Sequence, residues 1–315
     1  MNNRRSFIVG LKSYSLSKKE KFFLKKYKPW GVILFTRNIR SINQTQKLTK
    51  EIRKIFKDIK YPILIDQEGG KVDRLKKIMS SEALSAEFFG NLLSKNTKKF
   101  NNYFNIYISR LSLLLKKLGI NINTVPVLDI KRKKTNKIIG NRAYSTNKKI
   151  INKAGNFCIH EFHKNNIGTV MKHIPGHGYA KVDSHKQTPI VKINKKHLLK
   201  NDFSVFKNKK SIFAMTAHII YKKIDKIYTA THSKKIISLI RRNIKFNGIL
   251  ISDDISMKSL KFSVKKNTTL AFNSGCNIVL HCNGNLNEMI IVAKNSPIVD
   301  KFILKKTSQF YKILS

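Results

Sequence analysis

The strongest constraint on this chain is a rhythm: short apolar runs rich in Val, Ile and Phe alternate with longer amphipathic stretches along its 315 residues. Runs of this length bounded by turn residues suit strands, and strands that alternate with helical patterns suit a parallel sheet built from strand–helix units. The candidate strands are residues 6–11, 31–36, 62–67, 123–130, 168–174, 212–218, 248–254 and 277–282. Between them, Leu48, Ile52, Ile55 and Phe56 fall at helical spacing on one face. The stretch "YFNIYISRLSLLLKKLG" (103–119) ends in Lys-Lys followed by Leu and Gly, as helices tend to. No Gly/Ser/Pro-rich linker and no further repeat divides the chain. The expected class is therefore α/β, one (β/α)8 barrel of the TIM type forming a single catalytic domain over residues 1–315.

In such a barrel the carboxyl ends of the strands share one rim, and active sites are built there from the βα loops. Asp66, Asp129, Lys172 with His173, His218, and Asp253 with Asp254 all fall at or just after predicted strand ends. The segment "DQEGGKVDRL" (66–75) has the glycines that a tight βα turn needs. It also has the parts of a sugar-binding floor, because Asp66 can accept from two neighbouring hydroxyls while Arg74 donates to another. The segment "ISDDISM" (251–257) runs an apolar strand straight into two carboxylates. Asp253 fits a nucleophile, a metal ligand or a lysine partner, and Asp254 also fits a helix N-cap.

The densest chemistry lies in "KHIPGHGYAKVDSH" (172–185). Two histidines four residues apart bind zinc readily on a helix, but Pro and Gly stand between His173 and His177 and break that face. A metal-dependent hydrolase with His173, His177 and Asp183 as ligands remains the alternative. Residues i and i+2 of an extended loop point the same way, so Asp183 can hydrogen-bond His185 and fix its tautomer. Such a dyad serves as a general acid that can become a general base.

Together "DQEGGKVDR", "IGNRAYS", "KHIPGHGYAKVDSH" and "SDDISM" resemble the signature segments of glycoside hydrolase family 3 β-N-acetylhexosaminidases of the bacterial peptidoglycan-recycling type. The resemblance extends from "GVILFTRNI" through "MTAHIIY" to "AFNSGCNIVLHC", nearly the whole chain. It implies Asp253 as nucleophile, His185 as acid/base and Asp183 as its support, with sugar contacts from Asp66, Arg74, Arg142, Lys172 and His173. It further implies a retaining exo-β-N-acetylglucosaminidase that uses no metal or organic cofactor, acting on muropeptide fragments that carry 1,6-anhydro-N-acetylmuramic acid. Lys71 departs from the family, which usually has Arg there. A phosphorylase is a near relative of this reading, since a histidine acid/base does not repel an incoming phosphate.

Charge is the feature the resemblance does not explain. The chain has 64 Lys+Arg against 17 Asp+Glu, a net +47, a balance that points towards nucleic acid, anionic membrane or an acidic substrate. Lysine far outnumbers arginine, however, Asn, Ile and Phe are abundant, and the lysines are scattered, as drift towards A/T-rich codons would leave them. The expectation is no specific nucleic-acid partner, only salt-sensitive polyanion binding. A degenerate basic barrel that binds nucleic acid is the other alternative, but it would not need the dyad, nucleophile and sugar contacts together. Three widely spaced cysteines, Cys158, Cys276 and Cys282, suit reduced thiols. The apolar run near the amino terminus is too short for a signal h-region, and no run is long enough to span a bilayer. A cytoplasmic protein with no membrane partner is expected, with its oligomeric state left open.

Overall fold

A computed structural model describes residues 3–132, 139–184 and 186–315. The strands among them are β1 Arg5–Gly10, β2 Pro29–Leu34, β3 Ile63–Ile65, β4 Ile122–Asn123, β5 Gly168–Ile174, β6 Ile190–Val191, β7 Phe213–Thr216, β8 Ile220–Tyr221, β9 Ile249–Asp254 and β10 Ile278–His281. Eight of them close a barrel in the order β1-β10-β9-β7-β5-β4-β3-β2, with every neighbouring pair parallel. The molecule is a (β/α)8 barrel, and each expected strand has its counterpart. Its fourth strand is much shorter than residues 123–130. After Asn123 the chain leaves the ladder, and its backbone pairs with β5 again at a bridge from Val127 to Lys172. Pro126 stands in that interval and has no N–H to continue the pairing. The β6–β8 pair is a separate parallel ribbon, too short to leave a periodic signal in the sequence.

Strand alternation divides the core. Ile8, Ile33, Leu64, Ile122, Val170, Phe213, Met215, Ile249, Ile251, Ile278 and Leu280 form one buried cluster, the filling of the barrel. Their strand neighbours, among them Val9, Val32, Ile65, Met171, Ala214, Leu250 and Val279, belong to the second cluster, between the barrel wall and its helices. This is the period-2 geometry of strands buried on both faces.

The surrounding helices begin at side-chain caps. Residues Ile42–Phe56 form a helix that buries Leu48 and Ile52, with Ser41 accepting from the Gln44 amide. The helix anticipated over 103–119 runs instead over Thr97–Lys117, because the Asn96 side chain accepts from the Lys99 amide and starts it earlier. Gly119 follows it with φ +75°. Helix Lys301–Ile313 closes the amino-terminal end of the barrel. Its Ile303 and Phe310 join the interior cluster, Phe310 packs edge-on against Phe213, and Thr307 accepts from the Trp30 indole N–H at 3.0 Å. With that end closed, the carboxyl-terminal end is the mouth. Among the described residues no helix is long and apolar enough to cross a membrane.

Candidate active site

The alternation that fills the barrel also builds the site. Two residues beyond the last interior apolar side chain of five of the strands, the inward position becomes Asp66 after Leu64, Thr124 after Ile122, Lys172 after Val170, Asp253 after Ile251 and Cys282 after Leu280. All five line one cavity at the mouth, with Phe35, Arg74, Arg142, His173, His177, Ser184 and Asp254. Six of the sequence-predicted residues, Asp66, Arg74, Arg142, Lys172, His173 and Asp253, are therefore brought together. Asp183 lies in the loop after β5, and its neighbour Ser184 reaches the cavity. His185 lies outside the described residues.

A buried ion network forms the floor. Asp66 Oδ1 accepts from Lys172 Nζ and from Thr124 Oγ1 at 2.7 Å, and Asp66 Oδ2 accepts from Arg74 Nη2 at 2.8 Å. A carboxylate offers about four acceptor positions. Three of these are taken by described residues. Burial works to raise its pKa, but Lys172, Arg74 and Arg142 outweigh that and hold the carboxyl well below the usual range. Gln67 keeps the turn folded back: its Oε1 accepts from the Arg74 and Leu75 amides at 2.7 and 3.1 Å. Gly69 and Gly70, at φ +83° and +61°, supply the reversal that the sequence anticipates. Arg74 Nε has no partner among the described residues and remains a donor in the site.

Glu68, to which the sequence analysis gives no role, joins the floor beside Asp66. It accepts a bidentate pair from Arg142, Nε at 2.7 Å and Nη2 at 2.8 Å, and its Oε1 lies 2.5 Å from Lys172 Nζ. Its side chain is 3% exposed and that of Lys172 2%, so these charges are compensated almost entirely by one another. Burial would lower the Lys172 pKa, yet Asp66 and Glu68 raise it, and the amine stays charged. The i, i+2 spacing from Asp66 was the available signal.

Asp129, fully buried, organises the start of the histidine segment. It accepts from His173 Nδ1 at 2.7 Å and from the His177 backbone amide at 2.6 Å. Burial opposes ionisation of Asp129, but the two histidines draw its pKa down. Burial also pushes His177 down to about 4, so its ring is neutral at physiological pH. The rings of His173 and His177 stand 5.5 Å apart, edge to face. Among the described residues no three His, Cys, Asp or Glu side chains are grouped to hold a metal ion, and His173, His177 and Asp183 do not converge on one point.

The two carboxylates at the end of β9 differ in what they bind. Asp254 Oδ1 accepts from the Ser256 amide at 3.0 Å, from Ser256 Oγ at 2.8 Å and from the Cys282 amide at 3.2 Å. It thus closes a tight turn and caps no helix, contrary to the expectation; the next helix starts at Val264 with Ser263 as its cap. Asp253 Oδ1 accepts from the Asp254 amide at 2.8 Å. Behind them His218, which does not line the cavity, donates from Nε2 to the Asp254 carbonyl at 3.0 Å and shares a hydrogen bond at Nδ1 with Thr231 Oγ1 at 2.7 Å. Burial lowers the His218 pKa and so favours the neutral ring.

The model of the glycosyl hydrolase family 3 N-terminal domain matches residues 8–309. The chain is 30% identical over 260 residues to a beta-hexosaminidase of Methylobacillus flagellatus, covering 80% of this chain and 73% of that one. A beta-hexosaminidase of Hydrogenovibrio crunogenus is also 30% identical, over 281 residues, covering 88% and 78%. Among solved structures, NagZ from Neisseria gonorrhoeae in complex with N-trifluoroacetyl-D-glucosamine superimposes with a TM-score of 0.88 at 25% identity, covering 98% of this chain and 90% of that one.

Proposed function

Because the chain belongs to glycoside hydrolase family 3 and is of its β-N-acetylhexosaminidase type, we propose that it is a retaining exo-β-N-acetylglucosaminidase. Its substrates are cell-wall fragments in which GlcNAc is joined to 1,6-anhydro-N-acetylmuramic acid, cleaved in the cytoplasm during peptidoglycan recycling. Asp253 attacks the anomeric carbon as His185, held by Asp183, protonates the departing glycosidic oxygen. A covalent glycosyl–Asp253 ester forms and the muramyl portion leaves as an alcohol. His185 then takes a proton from water, whose oxygen attacks the anomeric carbon, and the Asp253 carboxylate is released with GlcNAc in its starting configuration. A double displacement of this kind needs two catalytic groups about 5–5.5 Å apart.

The observation that carries this reading is the placement of Asp253 on the same inward layer as Asp66 and Lys172, in one cavity with Arg74, Arg142 and His173. The Asp253 carboxylate lines this cavity together with charged donors and acceptors, which suits a polyhydroxylated ring better than an apolar ligand. The sugar that the gonococcal relative's structure contains, an N-acylated glucosamine, is of the same class.

The test is incubation with an aryl β-N-acetylglucosaminide, with and without EDTA and with and without phosphate, followed by identification of the sugar product. Free GlcNAc of retained configuration, unaffected by EDTA, is expected. GlcNAc-1-phosphate formed only with phosphate would identify a phosphorylase. Activity abolished by EDTA and restored by zinc would overturn the mechanism.

A further inference from the structure

The chain on either side of the Asp183 turn, at Gly176–Gly178 and at Thr188, is anchored from outside the cavity. At its start Tyr221 Oη donates to the Gly176 carbonyl at 2.6 Å. The backbone then lies directly on Asp202 of the next connection. A Cβ at Gly176 would come within 2.9 Å of Asp202 Cβ, and one at Gly178 within 2.6 Å of both Asp202 Oδ1 and the Ile130 carbonyl. At its far end Thr188 Oγ1 donates to the Ser259 carbonyl at 2.7 Å, and the chain enters the β6–β8 ribbon.

Between these ends stands a stack that the proposed chemistry does not use. Asp202, 1% exposed, accepts from Arg132 Nη2 at 2.5 Å. The same guanidinium lies over the Tyr179 ring, 3.6 Å from its centroid. Tyr179 Oη meets His197 Nε2 at 2.7 Å, on helix Lys195–Lys200. None of these four side chains lines the cavity. Tyr179 is nevertheless four residues from Asp183, whose carbonyl accepts from the Lys186 and Gln187 amides to close a turn. Ser184, within that turn, lines the cavity.

We infer that the Arg132–Tyr179 stack, backed by Asp202, is a clamp that sets where the Asp183 turn sits over the cavity, making Tyr179 and Arg132 positioning residues for acid/base catalysis. The inference rests on the acid/base assignment proposed above. An aromatic ring on a guanidinium that is already neutralised by a buried carboxylate gives a loop one preferred seat without adding a charge to the site. Losing it spreads the loop over other seats, and only the step that needs the acid suffers.

The experiment compares Tyr179→Ala, Tyr179→Phe and His185→Ala in the full chain by two readouts. One is amide hydrogen exchange of the peptide spanning residues 176–184. The other is kcat/KM on phenyl and on 2,4-dinitrophenyl β-N-acetylglucosaminide, whose second leaving group needs little acid help. Tyr179→Ala is expected to speed exchange, to lose on the order of tenfold on the phenyl substrate, and to stay near wild type on the dinitrophenyl one. Tyr179→Phe keeps the ring on Arg132, drops the His197 contact, and should behave as wild type in both. Unchanged exchange in Tyr179→Ala, or equal losses on the two substrates while His185→Ala remains selective, overturns the clamp. If His185→Ala itself shows no leaving-group dependence, the acid/base assignment falls and the exchange result alone decides the clamp.

Discussion

At the scale of single residues, the site depends on which charges are already satisfied. Glu68 is the only carboxylate among the described residues that accepts from both Arg142 and Lys172, so it sets the position of two proposed sugar contacts. Replacing it by Gln keeps the shape but leaves two buried cations with half their compensation. Each hydrogen bond to a charged group is worth about 1.5–3 kcal/mol. Glu68→Gln should therefore lower kcat/KM on an aryl β-N-acetylglucosaminide by about ten- to a hundredfold, together with a lower melting temperature, as steady-state kinetics and a thermal melt would show. A normal kcat/KM would make the network purely structural. The paired carboxylates of β9 allow a sharper test, because Asp254 is engaged with Ser256 and Cys282 while Asp253 is the one proposed to attack. With a dinitrophenyl substrate, His185→Ala should accumulate a glycosyl ester on Asp253, detectable by intact mass and peptide mapping. An adduct on Asp254 would show that the wrong carboxylate is named.

At the scale of elements, close backbone approaches transmit packing to the cavity. Helix Ala86–Lys95 brings Gly90 so near the Tyr144 carbonyl that a Cβ there would lie inside contact distance. The obstacle is backbone, so the side-chain rearrangements that usually absorb a methyl group are not available. The segment it would push, residues 139–144, carries Arg142 in a short turn of 3-10 helix, Gly140–Arg142. Gly90→Ala is expected to cost about 1–3 kcal/mol, the usual penalty of overpacking, and to raise KM by displacing Arg142. A chemical-denaturation midpoint and a KM measurement check both parts. Unchanged stability would mean that the helix shifts freely, which the Phe89–Phe104 stack at 4.2 Å opposes.

At the scale of the whole molecule, buried neutral histidines couple stability to pH. Burial lowers the pKa of His177 to about 4 and that of His232 to about 3. Both would titrate near 6.5 in the unfolded chain. Between these values the unfolded state binds more protons than the folded one, so stability rises with pH across the window. Their contribution is complete above about pH 6.5 and is lost progressively down to about pH 4 for His177 and about pH 3 for His232. Asp66 acts with the same sign further down: its depressed pKa gives stability above the ordinary carboxylate range that disappears as the group is protonated. The melting temperature should therefore hold above neutrality and fall steadily between pH 6.5 and 4, and His232→Gln should flatten the slope. A melting temperature independent of pH across that window would contradict the burial of these rings.

Periodicity alone determined the barrel, because strands buried on both faces must be apolar at nearly every position, and eight such runs separated by helical patterns have few ways to bury them all. It also determined that Asp66, Lys172 and Asp253 would share a rim, since each ends a strand. The fate of each polar side chain was decided only by the tertiary structure. Arg142 and Glu68 are 74 residues apart in sequence and form a bidentate pair, and nothing local to either could indicate the other. Asp254 shows the same limit. An Asp after a strand is an equally good helix cap or turn closer, and the choice went to the turn because Ser256 and the Cys282 amide lay within reach. Which charges neutralise one another, and which are left for a ligand, depends on contacts across the barrel that one-dimensional spacing does not encode.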